Sequence, residues 1–249
     1  MVEDNLIAQF RLLASSEHVT ALPDSDVVAF TRDLAFPLFN AICGARFAPG
    51  QEAGRTAEVV DGYIGRGLPF LWWATPSTMT LEMDAVLRSR GLEPSPEPGM
   101  HVLLDAAVDP CSPAGVEVSV SPPTRELVGV IVDGFGFPDF AFEPLRLAFG
   151  AFGPDVAFHV LARLDGVAVG AGSAFLTGDT LGIYNIATLG SARRRGIGYA
   201  VTATVMNLGR ERGCTQAVLM ASTMGRPTYE RLGFVEVCQT PQYVWQPGG

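Results

Sequence analysis

Hydrophobic positions recur along the chain at two spacings, and the alternation between them lays out the elements. Upstream of residue 105, apolar residues at helical spacing predict helices over Asn5 to Ala14, Asp26 to Phe39 and Gln51 to Arg66. The unbroken run Phe70-Leu71-Trp72-Trp73-Ala74, stopped by Thr75-Pro76, predicts a buried strand. Helical spacing returns over Thr80 to Arg90 through Leu81, Val86 and Leu87, Gly91 ends it, and Met100 to Leu104 reads as another strand. Pro110, Pro113, Pro122 and Pro123 then punctuate Asp105 to Pro123, a stretch hostile to a long helix and read as a linker. The expected division is a first domain over residues 1–109 and a second over 110–249.

Downstream, Val116 to Val120 predicts a strand and Arg125 to Phe135 and Glu143 to Phe152 two helices. Val156 to Leu164, Val167 to Phe175 and Leu181 to Leu189 then form a meander, with tight-turn signals at Asp165-Gly166 and Thr177-Gly178-Asp179. A helix over Gly196 to Arg212 buries Ile197, Ala200, Val201, Thr204, Val205 and Leu208 along one stripe. Gln216 to Ala221 (strand), Pro227 to Leu232 (helix) and Gln242 to Trp245 (strand) close the order. This is α+β order: a mixed, mostly antiparallel sheet flanked by helices. The sequence strand, helix, Gly, strand occurs near the end of both halves. Two readings stay open for it: a duplicated unit, or the coincidence of a generic pattern.

Composition narrows the classes. The chain has 249 residues, 48% apolar, with a net charge of -9, enough for real cores and too little charge for disorder. No apolar run approaches the ~20 residues of a membrane-spanning helix, and the acidic start Met1-Val2-Glu3-Asp4 is unlike a secretory signal, so a cytoplasmic protein is expected. Cys43, Cys111, Cys214 and Cys238 are far apart and read as reduced thiols. His18, His101 and His159 are singletons, so no metal is expected. The acidic balance argues against nucleic acid as a partner.

One basic cluster interrupts this background. Arg193-Arg194-Arg195-Gly196-Ile197-Gly198-Tyr199 lies between a strand and an amphipathic helix. Its glycines allow close backbone approach, and the helix start offers unpaired N–H groups and the positive end of its dipole. Cations are disfavoured there unless an external anion joins them, and a pyrophosphate is the simplest such anion. A dinucleotide fingerprint would need a third glycine where Tyr199, Ala200 and Val201 stand, and a P-loop would need Gly-Lys-Ser/Thr, which is missing.

Arg-x-x-Gly-x-Gly after an antiparallel strand resembles the coenzyme A pyrophosphate loop of the GNAT superfamily of N-acetyltransferases. The resemblance runs from about Val116 to Trp245 and includes Tyr229-Glu230-Arg231-Leu232-Gly233-Phe234, similar to the family's Tyr-x-x-x-Gly-Phe ending. It implies acetyl-CoA as co-substrate. Arg193, Arg194, Arg195, Gly196, Ile197, Gly198 and Tyr199 would hold the pyrophosphate, and Ile186, Ala187 and Thr188 the pantetheine arm. Ser222 and Tyr229 would complete the cofactor site. Ser222 stands where many members have Asn, Gly225 where Ala is usual, and Gly190 where Pro is common. The first domain resembles a degenerate copy of the same fold, or else an accessory α/β domain. It has no Arg-x-x-Gly-x-Gly, and Gly65-Arg66-Gly67 runs straight into Leu68-Pro69, so no coenzyme A is expected there.

The activity implied is transfer of an acetyl group to a primary amine of a small molecule or peptide, by direct attack in a ternary complex. The alternative is a non-catalytic acyl-CoA sensor or interaction module. Tyr229 would be the general acid, and backbone N–H groups around Ala187 and Thr188 would polarise the carbonyl. The strand Leu181 to Leu189 carries no Glu, Asp or His, so the base is open, with Glu143 and Asp139 as candidates and Glu126 and Asp179 behind them. The aromatic stretch Phe135-Gly136-Phe137-Pro138-Asp139-Phe140-Ala141-Phe142 falls where this fold admits the acceptor, and would suit an amine with a hydrophobic body. Of Trp72 and Trp73, adjacent strand positions on opposite faces, one is expected in the core.

Overall fold

The computed structural model of the chain describes residues 1–22 and 26–248. The first elements are α1 (Val2–Ala14), β1 (Thr20–Ala21), β2 (Val28–Thr31), β3 (Asn40–Cys43), α2 (Glu52–Ile64), β4 (Phe70–Trp73), α3 (Leu81–Ser89), β5 (Glu93–Ser95) and β6 (Pro98–Leu103). There follow β7 (Val116–Val120), α4 (Arg125–Phe135), α5 (Phe142–Gly150), β8 (Ala157–Leu164), β9 (Val167–Thr177), β10 (Thr180–Thr188) and α6 (Ile197–Glu211). Last come β11 (Gln216–Met220), α7 (Arg226–Arg231), β12 (Val235–Gln239) and β13 (Gln242–Trp245). The helix expected over Asp26 to Phe39 is not formed. Its β-branched and aromatic residues build β2, and Pro37 opens a short 3-10 turn over Pro37–Phe39.

Two sheets result, ordered β1-β2-β3-β4-β13-β5 and β12-β6-β11-β10-β9-β8-β7. Both are mostly antiparallel, and among the described pairings each has one parallel pair, β3 with β4 and β10 with β11, bridged by a helix, α2 and α6 respectively. The shared order shows that the element pattern is a tandem one, the first copy lacking one outer strand.

The compact units are not the two contiguous halves expected from the linker. One comprises Leu6–Pro98 with Cys238–Gly249, the other Met1–Asn5 with Gly99–Val237. Met100 to Leu104, read as the last strand of the first half, instead supplies β6 to the second sheet, in register from Gln216↔Leu103 to Met220↔Gly99. In return β13 lies between β4 and β5, pairing Tyr243 with Trp72 on one side and Pro94 on the other. Hydrophobic periodicity specifies that a strand forms and which face it buries, but not which sheet receives it.

The core of the unit built on Leu6–Pro98 gathers Ile42, Val60, Tyr63, Phe70, Trp72, Met83 and Leu87, with Tyr243 from β13. Trp72 is the tryptophan in this core, and Trp73 is half-buried with its ring edge against Phe10. In the other unit, α6 lies on one face of the sheet. Gly170 and Gly172 of β9 make that approach possible, since a Cβ would come 2.6 Å from Ile197 at the first and 2.8 Å from Val201 at the second. α4, capped by Thr124 accepting from the Leu127 N–H at 3.3 Å and ended by left-handed Gly136, lies against Ala187 on the other face. Val108 in the linker exchanges two hydrogen bonds with the Asn207 side chain, at 2.8 and 2.7 Å.

Candidate functional site

The site forms where β10 parts from β11. The two strands pair only from Thr180↔Gln216 to Gly182↔Val218, whereas β10 stays paired with β9 as far as Thr188↔Gly170. From Ile183 onward, β10 therefore has an edge toward β11 that no strand covers. A bulge between Tyr184 and Ala187, with Asn185 at φ 55°, shifts the alternation within this stretch. Ile186 turns toward α6, where its side chain would meet a Cβ at Gly172, while Ala187 faces Gly134 of α4. The Leu189 N–H is bonded to the Val169 carbonyl at 2.9 Å. Successive strand N–H groups point to opposite edges, so the Thr188 N–H points away from β9 into the opening.

The loop after β10 closes one end. Arg194 (φ 60°) and Gly196 (φ 80°) are both left-handed, and Gly196 caps α6 with no side chain over the helix start. The first helical bond is that of the Ala200 N–H to the Gly196 carbonyl, at 3.0 Å. The N–H groups of Ile197, Gly198 and Tyr199 therefore have no intrahelical acceptor. A Cβ at Gly198 would have only Thr188 Oγ1 nearby, at 3.8 Å, so the space over this turn is open. Arg194 and Arg195 are exposed and have no ion pair or hydrogen bond among the described residues. Arg193 differs, because its Nε donates to the Thr188 carbonyl (3.2 Å) and its Nη2 to the Gly134 carbonyl (2.8 Å).

β11 and the segment after it provide the other wall. Ser222 Oγ accepts from the Gly225 N–H at 3.1 Å, and a Cβ at Gly225 would sit 3.2 Å from the Tyr229 hydroxyl and 3.3 Å from Ser222 Oγ. The two hydroxyls thus flank one small space that only glycine leaves open. Tyr229 is 8% exposed, and burial pushes its phenol up to about 12. Its hydroxyl has no hydrogen-bond partner among the described residues. Arg231 lies over the Tyr199 ring at 5.1 Å, tying α7 to the first turn of α6.

The candidate bases separate by their partners. Glu126 is in a two-point ion pair with Arg163 (2.9 and 2.5 Å), whose hydrogen bonds hold its carboxyl below the usual range. Asp179 lies at the far end of β10, roughly 25 Å from Thr188 by strand rise. The Thr215 hydroxyl donates to it at 2.6 Å and lowers its pKa. Glu143 is exposed and paired with Arg146 at 2.9 Å. Asp139 is exposed, in the turn between α4 and α5, and has no partner among the described residues. In the same connection Phe135 and Phe140 are 47% and 50% exposed, and Phe135 stacks on Phe137 at 5.2 Å. His159 is buried, held by Ser173 (2.9 Å) and packed on Phe149, with burial lowering its pKa. Among the described residues no cluster of His, Cys, Asp or Glu could hold a metal ion, and no helix is long and apolar enough to cross a membrane.

The site is thus a mixed sheet splayed at its parallel pair, with a glycine turn and a helix start beside the opening. Residues 127–234 match the model of the acetyltransferase (GNAT) family. That family moves acyl groups from acyl-CoA to amines. Over its full length the chain has the fold of a GCN5-related N-acetyltransferase from Kribbella flavida, at 21% identity and a TM-score of 0.71, covering 100% of this chain and 96% of that one. Another GCN5-related N-acetyltransferase, from Sphaerobacter thermophilus, is similar over 92% of this chain and 84% of its own, at 17% identity and a TM-score of 0.66. A tandem GNAT protein from the clavulanic acid biosynthesis pathway covers 97% and 88%, at 14% identity and a TM-score of 0.62. No curated protein matches the sequence.

Proposed function

We propose that the chain is an acetyl-CoA-dependent N-acetyltransferase acting on a primary amine with an apolar body. The observation that carries this reading is the uncovered edge of β10 running directly into a turn whose N–H groups lack acceptors. The residues present fit the co-substrate. Ile197, Gly198 and Tyr199 offer backbone donors to a pyrophosphate, Arg194 and Arg195 offer unpaired positive charge, and the β10 edge at Ile186 to Thr188 offers backbone groups to an amide-bearing arm. When bound, acetyl-CoA supplies the activated acetyl thioester.

The chain's own residues then divide the work. The Thr188 N–H polarises the thioester carbonyl. Asp139, the candidate carboxylate without a partner, holds the acceptor ammonium and takes its proton directly or through water, and Phe135 and Phe140 flank the amine's apolar part. Tyr229 keeps its proton throughout the neutral range and directs it at the departing sulfur. A phenol near 12 is about 3 to 4 units weaker as an acid than a free thiol at ~8.5, so complete transfer is uphill by roughly 5 kcal/mol. Tyr229 therefore acts mainly as a hydrogen-bond donor that strengthens as charge builds on sulfur.

Calorimetry with acetyl-CoA, followed by thiol release over a panel of aryl-alkyl and polar amines, tests the reading. Binding with amine-dependent release of coenzyme A supports it. No heat and no thermal stabilisation at about a millimolar ligand would overturn it. Binding without turnover on any amine would favour a non-catalytic acyl-CoA sensor, the reading favoured by the engagement of Glu126, Asp179 and Glu143 elsewhere.

A further inference from the structure

Three arginines stand in a row before α6, but only one is already engaged. The Arg193 guanidinium reaches back from the loop to two carbonyls on two other elements, Thr188 at the end of β10 and Gly134 in the last turn of α4. Carbonyls in the last turn of a helix have no intrahelical donor and carry the negative end of its dipole. A cation is favoured at this point, in contrast to the start of α6, where the dipole opposes it. Gly134 itself makes the arrangement possible, because a Cβ added there would be 3.0 Å from Ala187 Cβ and 3.5 Å from the Thr188 nitrogen. A larger residue would lift the end of α4 off the strand and move its carbonyl out of reach.

Resting on the function proposed above, we propose that Arg193 is a positioning residue, a strap that locks the end of α4 to Ala187 and Thr188, and that Arg194 and Arg195 alone supply the loop's side-chain charge to the pyrophosphate. The segment strapped is the one that leads into Phe135 and Asp139, on the acceptor side of the reaction. The loop, the strand that polarises the carbonyl and the helix end that presents the acceptor are thereby held in one geometry. Misplacement of reacting groups by about 1 Å can cost up to 10²-fold in rate, so loosening the strap acts on turnover more than on binding.

The test compares full-length wild type with Arg193→Gln, Arg193→Lys and Arg194→Gln. Amide hydrogen exchange over residues 132–140 is measured without ligand, and coenzyme A affinity by calorimetry. The strap requires Arg193→Gln to raise exchange at Gly136 and Phe137 at least fivefold, with Arg193→Lys intermediate and Arg194→Gln unchanged. Coenzyme A affinity then falls less than threefold in Arg193→Gln and about tenfold in Arg194→Gln. With an amine turned over by the wild type, kcat in Arg193→Gln drops about tenfold at saturating acetyl-CoA while its KM moves less than threefold. Unchanged exchange over 132–140, or a tenfold loss of coenzyme A affinity in Arg193→Gln with kcat intact, would overturn the proposal and make Arg193 a pyrophosphate ligand. If the wild type bound no coenzyme A, the functional reading would fail, while the exchange comparison would still decide whether the strap exists.

Discussion

Cutting the chain at its linker gives a sharp test of the strand exchange. A fragment of residues 110–249 contains the whole GNAT match but lacks β6, which lies between β11 and β12 in the sheet. Its loss removes a five-residue antiparallel ladder from Leu103 to Gly99, at about 1 kcal/mol net per hydrogen bond. It also removes Met100 and Leu104, 1% and 5% exposed, each contributing about 1.5–3 kcal/mol by burial. The combined loss is about 8–11 kcal/mol, comparable to the whole stability of an ordinary domain, about 5–15 kcal/mol. The expected product is insoluble, or soluble without a cooperative thermal transition by circular dichroism. A fragment of residues 98–240 keeps β6 through β12 and gives up Asn5's bonds to Phe175, Thr177 and Tyr184 and the two bonds of Thr240 to the Glu97 carbonyl. It is expected to melt cooperatively. A 110–249 fragment with a Tm within about 5 °C of the full chain would refute the argument.

Four further outcomes follow from the same geometry. Tyr229→Phe should lower kcat at the weak end of general-acid effects, about 10²-fold or less, with acetyl-CoA affinity unchanged; full turnover when chemistry limits the rate would return Tyr229 to a packing role. Gly198→Val should weaken coenzyme A binding at least about tenfold by calorimetry with Tm unchanged, because only Thr188 Oγ1 lies near its Cβ and the branched side chain projects into the open space of the turn. Gly170→Ala should destabilise the fold by about 1–3 kcal/mol in urea unfolding, since its Cβ would press on Ile197 and Ala162. Tyr229 has a folded pKa raised above its unfolded ~10 to about 12, so the stability from its buried neutral form is complete below pH 10 and is lost as pH rises toward 12; urea midpoints for Tyr229→Phe should fall less over that window than those of wild type.

Local chemistry was the most legible part of the sequence. β7, α4 and β13 have the bounds that spacing predicts, because alternation, a Thr cap and a closing Gly each act within a few residues. The turn at Arg193 to Gly198 was legible for the same reason. β3 and β12 were missed for other reasons: β3 is buried at all four positions and so shows no alternation, and β12 exposes Val235 and Val237 among polar residues, so its apolar positions mark no buried face. Partners were invisible throughout. Nothing in Glu126 announces Arg163, and nothing in Arg193 distinguishes a guanidinium spent on two carbonyls from the unpaired ones beside it. The candidate base could be narrowed only after these long-range pairings were known.

The place of β13 also sets an order of events for the newborn chain. β4 and β5 touch no strand in common except β13, so the sheet begun by β1 to β4 cannot be completed when its own residues leave the ribosome. It must wait for everything from β6 to β12 to be made, on the order of ten seconds at 5–20 residues per second. During that interval Phe70-Leu71-Trp72-Trp73 is an apolar edge with unpaired backbone groups, the kind of edge that recruits other strands. Synthesis therefore leaves the earliest-made sheet as the last one finished, its edge open until Gln242 to Trp245 arrive.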